Sequence, residues 1–145
     1  MIKHVTKFVV PVLASAFMVG CASNTYQTEA TPTQQAAESA QAVYPTNLTA
    51  EQAPHLFCTV GADGMITLYN AGTDPLMGFD LWVNQLYTIR VTSTLDAKST
   101  MSIDPANVYN KSGTTLKADA GSMVSMVQIL YQGKLWTVQG PIMQK

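Results

Sequence analysis

From residue 51 onward the chain is broken into short β-branched and aromatic runs separated by Gly, Asn, Asp and Pro, a pattern that favours strands over helices. It predicts strands at Leu56–Val60, Met65–Asn70, Gly78–Val83, Leu86–Ser93, Thr100–Ile103, Ser122–Tyr131 and Lys134–Val138. "GADG" (61–64) supplies a turn between the first two, with glycines free to take positive φ, and Gln132-Gly133 does the same between the last two. The clearest hairpin is thus "MVSMVQILYQGKLWTV". Only "NLTAEQAPHL" offers a helix start, with Thr49 and Gln52 as a capping box and Pro54 limiting it to about one turn. Seven short strands in this space specify an all-β chain, a small antiparallel β-sandwich or barrel.

Residues 22–50 have a different composition. They are rich in Ala, Thr, Gln and Ser, carry no Lys or Arg, and hold nothing that closes a core; "TQQAAESAQAV" predicts no more than a transient helix. The expectation is a disordered tether, about 30 Å in root-mean-square span for a chain of this length.

Ahead of it, Met1–Lys7 is basic and Phe8–Val19 is uncharged and interrupted by Pro11. That apolar run falls short of the ~20 residues of a membrane-spanning helix and matches the layout of a secretory signal. Met18-Val19-Gly20-Cys21 resembles the lipobox of bacterial lipoproteins: an aliphatic residue, a short residue, Gly or Ala, then Cys. Met18 stands where Leu is commonest. The resemblance implies diacylglycerol on the Cys21 thiol, cleavage before it, and acylation of the new amino end. Two or more acyl chains hold a protein stably at a bilayer. Among such proteins an Asp after the lipidated Cys resembles an inner-membrane retention signal. Here Ala22 follows, so the outer membrane is the implied destination, reached through the lipid on Cys21. The alternative is an ordinary Cys21 that pairs with Cys58, the only other cysteine. The expected organisation is a signal peptide at 1–20, a lipidated Cys and tether at 21–50, and a β-rich domain at 51–145.

After cleavage six basic residues stand against nine acidic ones, a formal charge of −3. With no basic stripe to displace counterions, nucleic acid is not an expected partner. Cys58, in "HLFCTV", reads as a small buried hydrophobe.

Catalytic groups are sparse. His55 is the only histidine outside the leader, and an offset of three from Cys58 on a strand puts the two on opposite faces, against a thiol–imidazole pair. No CxxC, HxxxH or EF-hand loop is present, and the dispersed methionines are normal core fillers, so neither a metal nor another cofactor is expected. Asp63, Asp74 and Asp104 sit beside Gly or Pro and read as turn formers. The chain therefore reads as a non-enzyme.

Binding is left to the aromatic residues, of which Trp82, Trp136 and Tyr109 are the candidates. Trp82 and Trp136 look core-like, whereas Tyr109, in the polar stretch "PANVYNKSG", is expected to be exposed. "LYNAGTDPL" (68–76) and "VYNKSGTTL" (108–116) echo each other, as two tight turns of similar chemistry would. The series "YNxxGTxxL … AGSMVSMV … GKLWTVQG" resembles a β-module of phage tail-fibre and baseplate-associated proteins, with an Asn-Gly-Thr turn before a strand and a Trp closing a long hairpin. Three functions are compatible with these features. The first is an outer-membrane lipoprotein whose β-domain binds another envelope protein, as an accessory or assembly factor. The second is a lipoprotein of a phage or other mobile element that masks a receptor or excludes entry. The third is a module binding envelope glycan or another ligand.

Overall fold

The computed structural model describes residues 23–28, 30–119 and 123–140. The expected signal peptide (1–20) and Cys21 lie outside the described residues. The fold is all-β: eight strands form one sheet in the order β1-β6-β3-β2-β8-β7-β4-β5. In chain order these are β1 (Ser23–Thr25), β2 (Glu51–Val60), β3 (Ile66–Asn70), β4 (Leu76–Val83), β5 (Tyr87–Leu95), β6 (Thr100–Ile103), β7 (Val127–Tyr131) and β8 (Lys134–Gln139). One helix, α1 (Pro32–Gln41), lies between β1 and β2.

All seven predicted strands are present, β6 with the predicted bounds and the others with shifted ends. The helix start predicted in "NLTAEQAPHL" is replaced by the first half of β2. Pro54 is tolerated there because β2 slips register against β8 between Gln52 and Phe57. Such a break is where a residue without an N–H belongs. The Gln139 side-chain amide donates to the Ala53 carbonyl inside the break, replacing a ladder bond. At the other extreme, β7 starts at Val127 and not at Ser122. Asn84 diverts the backbone before it: its Oδ1 accepts from the N–H groups of Ser125 (2.8 Å) and Met126 (3.1 Å), and its Nδ2 donates to the Met123 carbonyl (2.7 Å).

The larger correction concerns the tether. Residues 23–25 add to the sheet as β1, parallel to β6 and in register Ser23 with Thr100. Tyr26 then buries its ring at 6 % exposure. Its hydroxyl accepts from the Thr92 N–H (3.1 Å), lies 3.1 Å from Thr92 Oγ1 and donates to the Arg90 carbonyl (3.3 Å). Thr92 and Arg90 belong to β5, the opposite edge of the sheet, so one side chain links the two edges of a nearly closed barrel. Closure is also dictated by the chain, since β5 and β6 stand near opposite ends of the strand order yet are joined by only residues 96–99. The helix that follows is started by a full capping box, with Thr31 accepting from Gln34 N–H and Gln34 accepting from Thr31 N–H, and by Pro32 in the first turn.

Inside, inward-facing residues of β2 to β8 meet in one core. Ile66, Leu68, Leu81, Val83 and Val91 have no measurable exposure, and Ile129 has 2 %.

Candidate functional site

β4 sorts its side chains by parity. Phe79, Leu81 and Val83 enter the core, so Asp80 and Trp82 project to the outer face of the sheet. An exposed tryptophan there would cost apolar burial, and the N-terminal segment covers it. Trp82 is only 4 % exposed, and Tyr44 meets it edge-on with ring centres 5.4 Å apart and planes at 85°. The Tyr44 hydroxyl is in turn fixed by donating to Gln128 Oε1 at 2.8 Å.

Helix α1 lies over the neighbouring strand β5. Its buried residues, Gln35 and Ser39, are four apart and share a face. The Ser39 hydroxyl donates to the Thr88 carbonyl (3.2 Å), which fastens the helix. Between α1 and the outer face of β4 and β5 remains a cavity of about 760 Å³, lined among others by Gln35, Glu38, Asp80, Trp82 and Arg90. Arg90 and Asp80 neutralise one another there, Nε to Oδ1 at 2.6 Å.

The cavity contains a chemical imbalance. Gln35 is 4 % exposed, yet neither its Nε2 nor its Oε1 has a hydrogen-bond partner, and the same holds for the Trp82 indole Nε1. Two donor atoms and one acceptor atom, on two residues of the cavity wall, are thus withdrawn from bulk water without a protein partner. Buried polar groups are ordinarily paired, and each unmatched one costs on the order of 1–3 kcal/mol. Gln35→Leu keeps the side-chain bulk and removes two of the three atoms. It is expected to stabilise the protein by about 1–3 kcal/mol in urea denaturation.

The three aromatic residues singled out in the sequence are not brought together. In register, Leu81 pairs with Ile129 and Ile129 with Trp136, whereas Trp82 pairs with Gln128. Trp136 therefore shares the inward face and Trp82 the outer one. Trp136 is half-buried beneath Lys134 Nζ (5.7 Å from the ring centre) and lines a second cavity of about 550 Å³ with His55 and Tyr131. Tyr109, expected to be exposed, is buried at 7 %. Its backbone forms an extra rung on the edge of β5, with Thr88 N–H to Tyr109 O at 2.9 Å and Tyr109 N–H to Thr88 O at 3.1 Å. A long-range pairing of this kind leaves no mark in a polar loop sequence. Gln35, Tyr44, Asp80 and Arg90 were not recognised as site residues, because only the covering of β4 and β5 by α1 assembles them.

Other surfaces are simpler. His55 is exposed and Cys58 buried on the opposite face of β2. Burial pushes the Cys58 thiol up to about 12, so it is no thiolate nucleophile at neutral pH. Phe57 and Tyr69 are cross-strand partners on β2 and β3, each 38 % exposed on the outer wall. Among the described residues no three His, Cys, Asp or Glu side chains gather as a metal site, and no helix is long and apolar enough to cross a membrane. No family model, curated protein or solved structure matches the chain.

Proposed function

We propose that this protein is a lipid-anchored lipoprotein of the bacterial outer membrane whose β-domain binds another envelope protein and performs no catalysis. The observation that carries this reading is the lipobox ending at Cys21, with one residue, Ala22, between it and the first strand. Lipidation there tethers the domain by almost no chain. The start of β1 stands beside Thr100 and the 96–99 turn, and the loop after Asn70 joins the same end through Asn70 N–H to Ser99 O (3.0 Å) and Lys98 N–H to Asn70 O (2.7 Å). That end is held at the lipid surface in this reading, within reach of a partner in the same membrane. The half-exposed Phe57–Tyr69 pair supports a protein partner, since paired aromatics on a sheet wall are the stock of interface hot spots.

Two measurements in a Gram-negative host test it. Metabolic labelling with a palmitate analogue is expected to mark the native chain in the outer-membrane fraction, and Cys21→Ala is expected to lose both label and membrane association. Retention of Cys21→Ala in the membrane would overturn the anchor. A photo-cross-linking residue at Phe57 or Tyr69 is expected to capture one envelope protein from intact cells. Capture of lipid alone from both positions would overturn the partner.

A further inference from the structure

We infer that the cavity at one mouth of the barrel, between β2, the β7–β8 hairpin and the loop before β4, is a binding site for the headgroup of a zwitterionic phospholipid. This rests on the lipid-anchored reading and names what the domain grips at the membrane.

Strand direction puts the cavity at the anchored end. β4 begins at Leu76 opposite Leu95, the last residue of β5, and runs antiparallel to β7, which ends at Tyr131 opposite Lys134, the first residue of β8. β1 begins at Ser23 opposite Thr100, the first residue of β6, which follows β5 after only residues 96–99. These starts and ends form one mouth, and Ser23 is two positions past Cys21. Met77, next along β4 from Leu76, is 69 % exposed there, and Tyr131 and Trp136 bring to the mouth the amphipathic rings that gather at membrane–water interfaces.

The cavity measures about 550 Å³, within the size range of small-molecule sites. Leu56 and Ile129, buried, and Leu76, Tyr131 and Trp136, partly buried, give it an apolar lining for the glycerol and first methylenes of a lipid. Among the described residues the lining carries one ammonium, Lys134, and one carboxylate, Asp74; both are exposed, and neither has an ion-pair partner. Lys134 is held over the Trp136 ring, Nζ 5.7 Å from its centre. One free charge of each sign beside an apolar lining complements a lipid that carries a phosphate and an ammonium. The phosphate accepts from Lys134 Nζ, and the ammonium donates to the Asp74 carboxylate. An anionic lipid would set its phosphate against Asp74 with no cation of its own to offset it. The cavity beneath α1 has no such free pair, since Arg90 and Asp80 neutralise one another.

The test uses the full lipidated chain, uniformly labelled with nitrogen-15, in micelles of an uncharged detergent. It is titrated with phosphatidylethanolamine and, in parallel, with phosphatidylglycerol and with diacylglycerol, which has neither phosphate nor ammonium. Phosphatidylethanolamine is expected to shift the Trp136 indole and the Gln132 and Gly133 amide signals together, while the Trp82 indole signal stays in place. Lys134→Gln and Asp74→Asn are expected to weaken binding by roughly fivefold or more each, the loss of one charge-assisted hydrogen bond. Unchanged backbone signals in the core strands report that each variant is folded. If no lipid moves the Trp136 signal, the site fails. Equal shifts with phosphatidylglycerol would overturn recognition of both charges, equal shifts with diacylglycerol would overturn recognition of the headgroup, and undiminished binding by both variants would overturn the assigned residues. The micelle supplies the lipid, so a chain without the acyl group reports the site equally. A chain that takes no palmitate label yet titrates as expected defeats the anchor alone, and a labelled chain that shows no shift defeats the site alone.

Discussion

Between pH 9.0 and about 12 the protein is expected to lose stability at about 1.4 kcal/mol per pH unit on account of one thiol, about 4 kcal/mol in all. Cys58 lies on the inward face of β2 at 2 % exposure, and desolvation by burial raises its pKa from 9.0 to about 12. In that window the folded chain keeps a proton that the unfolded chain has released. The unfolded state therefore binds fewer protons, and stability that is complete below pH 9.0 falls as pH rises, levelling only above the folded value. Urea denaturation at about pH 8 and about pH 11, for the native chain and for Cys58→Ala, isolates the effect from the tyrosines and lysines that titrate in the same range. The native chain is expected to lose about 3 kcal/mol more than the variant between the two conditions. Parallel losses would mean that the thiol reaches water. In agreement with burial, thiol reagents at neutral pH are expected to label Cys58 only at the rate of unfolding.

Cys58 was legible as a buried hydrophobe because strand alternation is local, and the same holds for most of the barrel. β6 runs from Thr100 to Ile103, the bounds that its residues predict. The "GADG" turn closes with Gly61 N–H to Met65 O at 2.9 Å, and Gln132 and Gly133 take the positive φ values of 50° and 75° that a two-residue hairpin needs. The echo at 68–76 and 108–116 has a local cause too, since Asn70 accepts from Gly72 N–H and Asn110 from Ser112 N–H, the same side-chain turn. What was not legible depends on distant partners. Leu81, Trp82 and Val83 are all buried, so their run reads as core, and only the N-terminal segment lying over Trp82 reveals a second, outer layer.

The N-terminal segment also closes the sheet through Tyr26, and the largest substitution effect is expected there. Composition argues for a tether across residues 22–50, because it contains almost no apolar bulk. A single aromatic can nevertheless dock such a segment when it meets unpaired edge groups. β5 presents Thr92 N–H and Arg90 C=O at an open edge, and the Tyr26 hydroxyl serves both while its ring enters the core. Removing the ring and hydroxyl together in Tyr26→Ala is expected to cost about 3–5 kcal/mol, and removing the hydroxyl alone in Tyr26→Phe about 1–3 kcal/mol. Urea midpoints give both values, and exchange of the Thr92 amide reports the edge directly. Tyr26→Phe is expected to speed that exchange while leaving Leu81 and Ile129, deep in the sheet, protected. A change below about 1 kcal/mol for Tyr26→Ala would mean that Tyr26 does not close the sheet. Helix α1 and Tyr44 keep fastenings of their own, Ser39 to Thr88 and Tyr44 to Gln128, so Tyr26 closes the sheet while these hold the layer outside it.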